Sequence, residues 1–189
     1  MLMLEQRIQQ QFFDSADLKY QTAETLARSI GDASGALLGA ITGGGKLMVL
    51  GCGSAAPLAT HMTVLCVGRF ERDRPPLPAV ALGHDSAADK QLLALGQPGD
   101  VLLLLDAGEG SPAVARAAIA AAHGKEMTVV LVTGNAGRTG IVGGDILSET
   151  DVMITVPHDR AVRVLELQLL VLHCLCDAID LQLMGEQEP

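Results

Sequence analysis

The first third of the chain carries a helical period. In "EQRIQQQFFDSADLKYQTAETLARSIGDASGALLGAIT" apolar residues recur three and four apart: Ile8, Phe12, Leu18, Ala23, Leu26 and Ile30, then Leu37, Leu38 and Ile41. Gly31 and Asp32 predict a break, so residues 1–42 read as two N-terminal helices. "GGGK" (Gly43–Lys46) ends them. The period then changes. "KLMVLG", "PAVAL", "DVLLLLD", "MTVVLVTG" and "DVMITVP" are short apolar runs without strict alternation. Such runs suit strands covered on both faces. Helical stretches separate most of them: Ser54–Phe70, a short one around Ala87–Leu95, Ser111–His123 and Arg160–Leu183.

Strands alternating with helices predict an α/β fold with right-handed crossovers. The expectation is a five-stranded parallel sheet in a three-layer, flavodoxin-like sandwich, with the N-terminal helices added outside. A chain of 189 residues is read as one domain, 1–189, whose α/β core spans 46–183.

Composition sharpens this picture. Half the chain is apolar (49%) but only 2% is aromatic, so Ala, Leu, Val and Ile must build the core. A net charge of -9 argues against direct binding to nucleic-acid phosphates. No apolar run is long enough to span a bilayer, and a cytoplasmic location is expected. Cys52, Cys66, Cys174 and Cys176 lack metal or redox spacing and read as reduced, buried thiols.

Ligands of parallel sheets bind at the carboxyl ends of strands. Two loops qualify. "GCGS" follows the first strand and supplies Gly51, Gly53 and Ser54. "DAGEGS" follows the third and supplies Ser111, with Pro112 at the first helical position. A strand, a glycine turn and a helix N-terminus together predict a cradle for a phosphate. His84, His123 and His158 read as surface residues, "TGNAGRTGIVGG" as a flexible connection, and "RFERDR" as a solvated helix end.

The ordered set "GCGSAAPLATH", "GRFERDRPPLPAVAL", "GDVLLLLDAGEGS", "MTVVLVTG" and "HCLCDAID" resembles sugar isomerase (SIS) domain proteins. More narrowly, it resembles the branch containing phosphoheptose isomerase and its non-enzymatic relative, the DnaA initiator-associating protein DiaA. "RFERDRPPLPA" and "CLCDAID" lean toward the latter. The resemblance implies a homotetramer. It also implies a zinc ion held by a His and Glu four apart on one helix and a Gln and His eight apart on the last. The histidines match His61 and His173, whereas the other two positions are Leu65 and Leu165. Leucine neither ligates zinc nor moves a proton, so no cofactor is expected and the histidines are a remnant pair. Glu166 lies beside Leu165, but one residue turns a helical side chain by more than about a quarter turn.

The phosphate loop also departs from the family's Ser/Thr-rich pattern. Asp106 and Glu109 put negative charge where a dianion would sit, or themselves occupy the amides at the helix N-terminus. The segment before the third strand, Gly83–Pro98, is shorter than the family's. A bound phosphosugar is therefore doubtful on sequence grounds. The expectation is a non-catalytic tetramer that binds the initiator DnaA through Leu183 and Met184. The alternatives are phosphoheptose isomerase, acting on sedoheptulose 7-phosphate, and a sugar-phosphate sensor without turnover.

Overall fold

The computed structural model describes residues 2–83, 87–141 and 146–186. A single helix, α1 (Leu2–Thr42), comes first. The expected break at Gly31 and Asp32 does not occur. Leu18, Thr22, Leu26, Ala33, Leu37 and Ala40 are buried along one continuous face, so the core supports the helix across the glycine. An interior glycine costs only about 1 kcal/mol relative to alanine, less than that face gains on burial.

The strands are β1 (Leu47–Cys52), β2 (Ala79–Ala81), β3 (Val101–Asp106), β4 (Thr128–Gly134) and β5 (Val152–Val156). They form one parallel sheet in the order β2-β1-β3-β4-β5. The helices after α1 are α2 (Ala56–Val67), α3 (Ala88–Leu95), α4 (Pro112–His123), α5 (Asn135–Ile141) and α6 (Ala161–Met184). Alternate strand residues feed opposite layers. Val49, Leu103, Leu105 and Val132 pack toward α1, α2 and α6. Leu50, Leu102, Leu104 and Leu131 pack toward α3 and α4. The expected α/β sandwich is therefore present.

Several local expectations change. Asn135–Ile141 is helical rather than a loop, while Gly143 and Gly144 lie outside the described residues, as does His84. His123 is no free surface residue: its Nε2 is 2.7 Å from Oδ2 of Asp151, whose side chain is fully buried. His158 Nδ1 accepts the Arg160 N–H at 2.9 Å. Cys52, Cys66 and Cys176 are buried, whereas Cys174 is half-buried. "RFERDR" contains the exposed pair Arg69–Asp73, but it also sends Arg74 inward to Asp180. Among the described residues, no helix is long and apolar enough to cross a membrane.

Candidate functional site

The strand order reverses between β1 and β3, which places the cleft above their carboxyl ends. The register pairs Cys52 with Asp106, so the two expected loops leave the sheet side by side. Gly51 is buried at the end of β1 and Gly53 has φ +55°. A short 3-10 turn, Gly53–Ala55, then launches α2 with Ser54 exposed at its start. A Cβ at Gly53 would lie 3.3 Å from the Gly110 nitrogen, so the loops approach too closely to leave easy room for a side chain there.

The β3–α4 loop folds around its own carboxylate. Asp106 is 2% exposed. Its Oδ2 accepts the Gly108 N–H and its Oδ1 the Gly110 N–H, both at 3.0 Å. Burial pushes the Asp106 carboxyl above its ordinary range, against the pull of these two amides. From the other loop, Ser54 donates to Glu109 Oε2 at 2.6 Å. Asp106 thus occupies amides of its own loop, whereas Glu109 is held by Ser54 of the other loop. Ser111 is the exposed N-cap of α4, and its side chain makes no capping bond.

His61 lies about two helical turns beyond Ser54 on α2. Its Nε2 is 3.2 Å from Nε2 of His173 on α6, so one ring donates and the other accepts. The Phe70 ring is 5.5 Å from that of His173, centroid to centroid. The expected remnant pair is thus a direct contact between half-buried rings.

Leu65 and Leu165 pack against the core shared by α1, α2 and α6. Glu166 does not replace them. Its carboxylate accepts Ser15 of α1 at 2.7 Å and Arg163 at 2.6 Å. Among the described residues, no three His, Cys, Asp or Glu side chains are placed to hold a metal. A catalytic zinc takes three protein ligands, so the donors of one chain do not fit it.

Sequence reasoning missed Gln168. It is fully buried, and its Nε2 donates to the carbonyls of Asp106 and Val132 at 3.0 and 2.9 Å. It ties α6 to the carboxyl ends of β3 and β4. The available signal was a polar residue set among the leucines of the α6 run. Leu183 and Met184 lie away from the cleft, in a groove with Ile41, Pro75 and Leu77, and Leu183 is 39% exposed.

Residues 11–134 match the SIS domain family. A phosphoheptose isomerase from Methylibium petroleiphilum is 50% identical, over 98% of each chain. The solved phosphoheptose isomerase from Neisseria gonorrhoeae superposes with a TM-score of 0.82 at 31% identity, over 94% of this chain and 98% of that one. The Francisella tularensis phosphoheptose isomerase gives 0.81 at 33% identity, over 95% and 99%. These likenesses overturn the expectation of a non-catalytic initiator-binding protein. That expectation rested on two short motifs, two leucines, two loop carboxylates and a shortened segment, whereas the similar proteins carry the isomerase name along nearly their full length.

Proposed function

The chain belongs to the SIS domain family, in its phosphoheptose isomerase branch, and we propose that it acts on a sugar phosphate by ketose–aldose isomerisation. Sedoheptulose 7-phosphate is the proposed substrate. The observation that carries this reading is the His61–His173 contact at 3.2 Å.

Isomerisation moves one proton from C1 to C2 of the sugar and one between the two oxygens, through an enediol. It needs a base and an acid within reach of neighbouring carbons. In the free protein one imidazole N–H of the pair faces the other ring's lone pair. A substrate hydroxyl that enters between the rings frees one lone pair and one N–H. His173, backed by Phe70, takes the carbon proton, and His61 serves the oxygen side. No step is routed through zinc, because the donor set does not fit it. The phosphate end lies toward Ser54 and Ser111, where the start of α4 adds a favourable dipole.

A second reading is binding without turnover. Leu65 and Leu165 favour it, because they remove the proton-carrying and metal-ligating groups that the resemblance implies there. We further propose a homo-oligomer in the cytoplasm. Phe12, Phe13 and Tyr20 of α1 are 72%, 60% and 87% exposed in the single chain, which supports self-association.

Turnover separates the two readings. Purified protein incubated with sedoheptulose 7-phosphate is followed by NMR for aldose signals. Aldose formation that is abolished in His173→Ala supports the isomerase. Saturable binding without aldose formation supports the second reading.

A further inference from the structure

We infer that Glu109 is a displaceable anionic plug in the phosphate cradle and sets how tightly the cleft holds a phosphate-bearing sugar. This inference rests on the sugar-phosphate reading above. Two carboxylates reach into the cradle, and they differ in kind. Asp106 is sealed: it is 2% exposed and bound by the amides of Gly108 and Gly110. It is part of the loop's architecture. A Cβ at Gly110 would come within 2.5 Å of both Asp106 Oδ1 and Cys52 Cβ, so the loop has no slack to release it.

Glu109 is exposed, and its partner belongs to the opposite loop. A serine hydroxyl has one proton to donate. While Ser54 donates to Glu109 at 2.6 Å, it cannot donate to a phosphate oxygen. A phosphate must therefore break this charge-assisted bond and also lie beside a negative charge. The two loops run close together here, since a Cβ added at Gly53 would lie 3.3–3.4 Å from the backbone of Glu109 and Gly110. Because the bond faces water, it is reversible at modest cost.

The test compares wild type, Glu109→Gln and Glu149→Gln by calorimetry, with sedoheptulose 7-phosphate and inorganic phosphate as probes. Glu149 is an exposed residue in the turn before β5, at the amino end of an edge strand and away from the carboxyl-end cleft, so it controls for net charge. The plug predicts that Glu109→Gln tightens both probes by about tenfold while Glu149→Gln changes neither. Equal affinity in wild type and Glu109→Gln overturns the plug and leaves the sugar-phosphate reading standing. Absence of binding by all three proteins overturns both. An equal gain in Glu149→Gln also overturns the plug, because net charge alone then accounts for the effect.

Discussion

The Arg74 guanidinium lies 2.5 Å from the Asp180 carboxylate, and each side chain is 2% exposed. Arg74 also donates to the carbonyls of Leu65 and Cys66, at 2.9 and 2.7 Å. It thus satisfies acceptors in the last turn of α2 while anchoring α6. The pair joins the two helices that present His61 and His173. Removing one partner strands a buried charge. Asp180→Ala is predicted to destabilise the protein by about 3–5 kcal/mol in urea unfolding. A loss below about 1 kcal/mol contradicts the role given to the pair.

Asp106 makes stability depend on pH. Burial raises its folded-state pKa, so the folded chain holds this proton more tightly than the unfolded chain does. Its contribution is full below the ordinary carboxylate pKa and falls as pH rises through the raised value. In Asp106→Asn that slope disappears. Urea unfolding from pH 4 to pH 7 should therefore show the stability difference moving in favour of the variant as pH rises. A difference that stays flat across this range contradicts the assignment.

The leucines decide metal binding. Leu65 lies one turn beyond His61, and Leu165 two turns before His173. The double variant Leu65→Glu/Leu165→Gln would restore four donors at the positions the resemblance implies. After zinc loading and dialysis, elemental analysis is predicted to find about one zinc per chain in the double variant and far less in wild type. Full occupancy in wild type contradicts the fit argued from the single chain.

The exposed face of α1 predicts the assembly. Phe12 and Phe13 are predicted to be covered by another copy of the chain. Sedimentation should give about four times 19.7 kDa for wild type. Phe12→Asp/Phe13→Asp should shift the mass toward smaller species. A monomeric wild type at micromolar concentration contradicts this.

The sheet was legible because buried parallel strands are written as uninterrupted apolar runs, such as Leu102–Leu105. The loops were legible because glycine and serine must follow β1 and β3 at the switch point. Continuity of α1 was not, because Gly31 is a local signal and the buried face that overrides it is set by packing. Arg74–Asp180 and Ser54–Glu109 join residues 106 and 55 positions apart, and no local pattern records such pairs. Leu65 and Leu165, read in the sequence as departures from the family's ligand pattern, pack against the core. Whole-chain likeness, rather than those two positions, corrected the functional expectation.

Turnover of sedoheptulose 7-phosphate by wild type and by His173→Ala tests the central claim most directly. The account predicts aldose formation by wild type and a fall of at least about 100-fold in kcat/KM for the variant, with the fold retained by circular dichroism. Turnover that is unchanged in His173→Ala, or absent from wild type, contradicts the claim that the histidine pair carries the reaction.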